Sequence, residues 1–153
     1  MRWMRGSPYR DPSAFVHASW TTRGIPMPFE EPPGRRPTVL VVEDDANLRR
    51  ALVRTLAGIG LEVTACATCA EAHRARCADL GVLDIDLPDG DGARLAEELL
   101  RQGKLRRVVF FTAAAKGDVR ARAARIGVVI DKSDGVGALL AALRIARTAR
   151  PRA

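Results

Sequence analysis

The segment VLDIDLPDGDG, residues 82–92, carries four aspartates: Asp84, Asp86, Asp89 and Asp91. Like charges at this spacing repel unless a cation or water separates them. A second acidic group, Glu43, Asp44 and Asp45, closes the upstream run VLVVEDD. A hydroxyl, Thr112, ends VVFFT, and an ammonium, Lys132, follows VVID. These types suit phosphoryl chemistry. Carboxylates from neighbouring strands make a hard oxygen site for Mg²⁺, which keeps several waters and prefers to bind beside phosphate. With their charge offset, one carboxylate can attack phosphorus. A lysine as a point charge and a threonine as a donor can hold the transferred oxygens.

Those residues need elements that bring them together. TVLVV, from Thr38, is a continuous apolar, β-branched run, as a strand buried on both faces requires. A helix follows over 46–60, with Leu48, Leu52, Leu56 and Ile59 at helical spacing and Gly58 and Gly60 closing it. LEVTA is a second strand. Thr68 with Glu71 forms a capping box that opens a short helix to about Arg76. LGVLD is a third strand and GARLAEELLRQG a third helix. RRVVFFT is a fourth strand; KGDVRARAARIG is a short fourth helix with Val119, Ala123 and Ile126 on one face. VVID and DGVGALLAALRIARTAR complete five strand–helix pairs. Such alternation predicts an α/β fold: a doubly wound, five-stranded parallel sheet of flavodoxin-like order 2-1-3-4-5, with helices on both faces. Ligands then bind outside the carboxyl ends of the strands, where the acidic residues, Thr112 and Lys132 collect.

Residues 38–147 resemble the receiver domain of bacterial two-component response regulators, through VLVVEDD, VLDIDLPDGDG, VVFFTA and DK, in that order and each at a strand end. The resemblance implies that Asp84 is the phospho-acceptor. It implies that Glu43 and Asp44 hold Mg²⁺ together with Asp84 and the backbone carbonyl of Asp86. Thr112 would be the switch hydroxyl, and Lys132 would contact the phosphoryl group. It further implies a histidine kinase or phosphotransfer protein as donor, a downstream effector protein as reader, and no enzymatic turnover beyond autophosphatase activity. Asp86 is placed to tune phosphoryl lifetime. Asp89 and Asp91 shape the loop, and Asp91 helps start the third helix. Two positions depart from the family pattern. Ser133 replaces the usual proline after the lysine, so a trans bond is expected there and Ser133 should cap the fifth helix. Val129 stands at the family's switch aromatic.

Rival readings are weaker. A calcium loop fails because Pro88 falls where a third ligand belongs. A phosphatase of haloacid-dehalogenase type also uses D-x-D, a hydroxyl, a lysine and an acidic pair, but there the acidic pair comes last. A non-phosphorylated receiver-like interaction module would not need the full set of Glu43, Asp44, Asp84, Thr112 and Lys132. Cys66, Cys69, His73 and Cys77 suggest a zinc or redox site, with 69, 73 and 77 on one helical face. Core packing is the favoured alternative, with His73 a neutral, at least half-buried imidazole.

The 153 residues suffice for one domain with a sizeable core. Residues 1–37, with most of the prolines and with Trp3, Tyr9 and Trp20, read as a flexible extension; 38–149 read as the receiver and 150–153 as a basic tail. No output domain is expected. No apolar run reaches the ~20 residues of a membrane span, no signal peptide is visible, and three cysteines argue against a disulfide framework, so a cytoplasmic protein is expected. The net charge of +7 suits an acidic partner, a membrane surface or nucleic acid, or reflects an arginine-biased composition with no partner meaning. The fourth helix carries Lys116, Arg120, Arg122 and Arg125 against Asp118, and the fifth helix and tail carry Arg144, Arg147, Arg150 and Arg152. Two such faces repel, so phosphorylation is not expected to drive a dimer, and nucleic acid is disfavoured because no recognition helix is evident.

Overall fold

The structure, a computed structural model, describes residues 34–113 and 117–148, with the side chains of 145–148 excepted. The expectations for residues 1–33, Lys116, Arg147, Arg150 and Arg152 lie outside the described residues or side chains. Strands β1 (Thr38–Val42), β2 (Glu62–Cys66), β3 (Ala78–Leu83), β6 (Leu105–Thr112) and β7 (Val128–Asp131) form one parallel sheet in the order β2-β1-β3-β6-β7. Counted along the chain, this is the expected 2-1-3-4-5. Two further strands, β4 (Asp86–Leu87) and β5 (Gly90–Asp91), pair antiparallel as a hairpin just after β3.

Alternation along β1 builds two cores. Val39 and Val41 face α1 (Ala46–Gly58) and α5 (Gly135–Thr148), packing with Leu52, Leu56, Leu139 and Leu143. Leu40 and Val42 face the opposite layer of α2 (Cys69–Arg74), α3 (Gly92–Arg101) and α4 (Gly117–Ile126), through Ala72, Leu95, Leu99 and Ala123. Burying a leucine fully is worth about 1.5–3 kcal/mol, so these stripes hold the helices in place. Among the described residues no helix is long and apolar enough to cross a membrane.

Helix boundaries follow local chemistry. Asp45 caps α1 by accepting from the amides of Asn47 and Leu48. Gly60, at φ +91°, turns the chain out of α1. The turn carries Leu61 into the core and leaves Ile59 exposed, so Ile59 is not the last residue of the helical stripe. Thr68 caps α2 as expected, while Glu71 reaches back to the Ala67 amide. That helix ends at Arg74, short of Arg76. On α4, Ala123 is buried but Val119 is exposed, so the expected stripe narrows.

Ser133 does not cap α5. It lies in a 3-10 turn, Lys132–Asp134, whose cap is Asp131: the Ser133 amide and hydroxyl both donate to Asp131 Oδ1, at 2.9 and 2.8 Å. The described residues contain no cis peptide bond. Contacts to the sheet begin before Thr38. Arg35 pairs with Asp79 at 2.7 Å, and the Pro37 carbonyl accepts from the Glu62 amide.

Candidate functional site

Parallel strands end on one rim, and the chain changes direction there between β1 and β3. Glu43 follows β1 directly and Asp84 follows β3 directly; both are buried. Asp84 continues the ladder by donating its amide to the Val42 carbonyl at 2.9 Å. This bond sets the two acidic segments side by side. Lys132, just beyond β7, reaches across: its Nζ lies 2.7 Å from Asp84 Oδ2 and 2.8 Å from Glu43 Oε2.

The electrostatics follow from burial. Burial pushes the Glu43 carboxyl up, against the opposing pull of Lys132 and of the Asp45 amide at 3.1 Å. Burial would lower the Lys132 ammonium, but the hydrogen bonds and charges of Asp84 and Glu43 outweigh it and hold Lys132 raised. The lysine therefore stays protonated at neutral pH and offsets two nearby carboxylates.

Glu43, Asp44 and Asp84 each offer a carboxylate oxygen, all within 4.8 Å of one another. Two of the three are buried and Asp44 is exposed. A hard-oxygen set of this size, open to water on one side, fits Mg²⁺. Thr112, at the end of β6, is fully buried, and its Oγ1 has no hydrogen-bond partner among the described residues. An orphaned hydroxyl at the end of a strand whose rim also carries a buried carboxylate and an ammonium fits an anionic ligand that would accept from it.

The four aspartates of the opening segment separate by role. Asp84 is the buried one. Asp86 is exposed on β4, and its amide approaches Asp84 Oδ1 at 3.3 Å. Asp89 accepts from the Cys69 and Ala70 amides at 2.8 and 3.0 Å, so it caps α2 from twenty residues away. Asp91 caps α3 through the Ala93 amide and also pairs with Arg122 of α4. Sequence reasoning missed the Asp89 and Arg122 contacts. It also missed Arg49, whose Nη1 donates to the carbonyls of Glu43 and Asp44. An arginine in the first turn of a helix, where cations are disfavoured, was the available signal for the last of these.

The Cys/His pattern does not assemble. Cys66 is buried and Cys69 packs beside the core, but α2 ends before Cys77, which is exposed. All three are free thiols. His73 is half-buried and lies 3.3 Å from Glu98. Among the described residues the liganding cluster is the acidic one.

Comparison with known proteins agrees with this geometry. The profile of the response regulator receiver domain matches residues 39–144. The KDP operon transcriptional regulatory protein KdpE of Escherichia coli K12 is 34% identical over 113 residues, covering 71% of this chain. The match covers 50% of KdpE, so the chain spans about half the length of that curated relative. The non-phosphorylated HemR receiver domain of Leptospira biflexa superposes with a TM-score of 0.68 at 33% identity, over 77% of this chain and 100% of the other. The response regulator TrrA of Thermotoga maritima, solved in complex with Mg²⁺–BeF, has a TM-score of 0.63 at 24% identity, over 71% of this chain and 96% of its own, which is a likeness of fold alone. The profile match and the curated relative give the family, the HemR neighbour agrees with the fold, and the chain belongs to the response regulator receiver domains.

Proposed function

We propose that Asp84 accepts a phosphoryl group from the phosphohistidine of a histidine kinase or phosphotransfer protein, with Mg²⁺ held by Glu43, Asp44, Asp84 and the Asp86 carbonyl. The observation that carries this reading is the Lys132 ammonium, bonded at once to Asp84 and Glu43 beside the three-carboxylate cluster. An Asp84 carboxylate oxygen attacks phosphorus, the P–O bond forms as the P–N bond of the donor breaks, and the departing imidazole takes up a proton. Bound Mg²⁺ supplies charge neutralisation for the incoming phosphoryl group. Lys132 exchanges its contact with the Asp84 carboxylate for one with a phosphoryl oxygen, and Thr112 Oγ1 gains the acceptor it lacks. The product is an acyl phosphate whose state is read by an effector protein, so the domain acts stoichiometrically.

The reader's surface is set by α4 and β7. Arg125 is exposed and Arg120 half-buried, whereas Arg122 is engaged with Asp91, which reduces the basic face to fewer free charges than the helix carries. Val129, half-buried against the core, leaves no aromatic at the position through which the family couples its hydroxyl to that face. The partner fitting this surface is an acidic protein rather than a second copy.

Intact-mass measurement after incubation with acetyl phosphate should show one phosphoryl adduct that requires Mg²⁺ and is lost in Asp84→Asn. Full labelling of that variant overturns the acceptor assignment, and repeated turnover of a phosphomonoester would favour a phosphatase instead.

A further inference from the structure

The first turn of α1 ends on Arg49, is followed directly by Arg50, and holds no acid. That is the wrong end of a helix for cations, since the amide dipoles there favour negative charge. Arg50 donates to Asn47 Oδ1 at 2.6 Å, a local contact on the exposed side. Arg49 turns the other way. Its Nη1 donates to the Glu43 carbonyl at 2.8 Å and to the Asp44 carbonyl at 3.1 Å, holding both peptides of the link between β1 and α1. The Glu43 amide makes the last ladder bond, to the Cys66 carbonyl at 3.0 Å, so beyond it the backbone has no sheet partner to define it.

We propose that Arg49 is a positioning residue for the cation site. By fixing the carbonyls of Glu43 and Asp44, it fixes where their carboxylates point and keeps them within one ion's reach of Asp84. This role rests on the reading that these three carboxylates bind Mg²⁺. Electrostatics alone argues the opposite way. A guanidinium next to a divalent-cation site repels the ion, so on charge grounds removing it should tighten binding. The sign of the effect therefore separates positioning from charge.

The test is an NMR titration of backbone amides with MgCl₂ on the full chain, comparing wild type with Arg49→Met, Arg49→Lys and Arg50→Met; the same spectra report folding. Arg49→Met should weaken Mg²⁺ binding about tenfold, the scale at which partners that orient metal ligands act. Arg50→Met removes the same charge from the adjacent position and should leave affinity unchanged or slightly tighter. Arg49→Lys keeps the charge without the planar fork and should fall between wild type and Arg49→Met. In labelling by acetyl phosphate, the Mg²⁺ concentration giving half the maximal rate should rise in Arg49→Met, while the rate at saturating Mg²⁺ stays near wild type. A folded Arg49→Met that binds Mg²⁺ as tightly as wild type, or more tightly, overturns the proposal. Should Arg49→Met not fold, wild-type affinity in Arg49→Lys overturns it. Wild-type binding that persists in Asp44→Ala, or no wild-type binding, overturns the metal reading itself and this role with it.

Discussion

Replacing Gly92 by alanine should damage the protein beside Asp84, the proposed phospho-acceptor. Gly92 opens α3, and a Cβ there would stand 1.9 Å from the carbonyl oxygen of Asp84 and 2.9 Å from both Asp84 C and Ile85 Cα. Ordinary C···O contacts begin at ~3.3 Å, so the overlap exceeds an ångström and falls on backbone, which cannot rotate away. The start of α3 must move off the Asp84–Ile85 peptide. That breaks the 2.8 Å bond from the Gly92 amide to the Ile85 carbonyl, a loss of about 1 kcal/mol. It also shifts Ala93, Leu95, Ala96 and Leu99, all buried, at about 1–3 kcal/mol for a strained repacking. The helix preference of alanine over glycine returns at most about 1 kcal/mol. A net loss of about 2 kcal/mol is expected, together with slower labelling of Asp84. Gly137 of α5, where an added Cβ would meet no atom within 4 Å, is the control, and alanine there should stabilise by about 0.5–1 kcal/mol. Urea unfolding followed by circular dichroism measures both. A Gly92→Ala protein with wild-type stability and wild-type labelling would refute the steric reasoning.

Three further outcomes are expected. Burial works against the Asp79 carboxylate, but hydrogen bonds from the Thr38 amide and hydroxyl and from Arg35 outweigh it and hold its pKa below the usual range. A depressed carboxylate stabilises above its unfolded pKa and loses that contribution as pH falls through its folded one. Asp79→Asn should therefore cost about 2 kcal/mol at neutral pH, with the gap narrowing below about pH 4; a pH-independent gap in urea titrations would contradict this. One thiol of the three should react rapidly with an aromatic disulfide reagent at mildly alkaline pH, and Cys77→Ser should abolish it. Cys77 is exposed, whereas burial, reinforced by the charge of Asp89, pushes Cys69 up to about 11, and burial also raises Cys66. Light scattering with beryllofluoride and Mg²⁺ should show no new dimer at physiological salt; a dimer broken by charge reversal at Arg120 would overturn the like-charge argument.

The order of the main sheet was legible because its strands and helices differ in period. TVLVV and the VVFF of RRVVFFT are short continuous apolar runs, whereas ANLRRALVRTLAG repeats its leucines at helical spacing. A parallel arrangement puts every strand's carboxyl end on one rim. The order of the motifs therefore led to the expectation that Glu43, Asp84, Thr112 and Lys132 would collect on that rim; Lys132 bonds both Glu43 and Asp84, and Thr112 ends β6. Contacts that join elements distant in sequence were not legible. Nothing in PDGDG announces that Asp89 will cap α2 or that Asp91 will meet Arg122, because both depend on where separately built helices land against the β4–β5 hairpin. Turn geometry decided other details: Gly60 swung Ile59 to solvent and Leu61 inward, and a 3-10 turn capped by Asp131 took up Ser133, which was expected to cap α5. Local pattern sets which face of an element is apolar, and so the layers and the rim. A polar side chain with several reachable partners takes the one that packing of the rest leaves beside it.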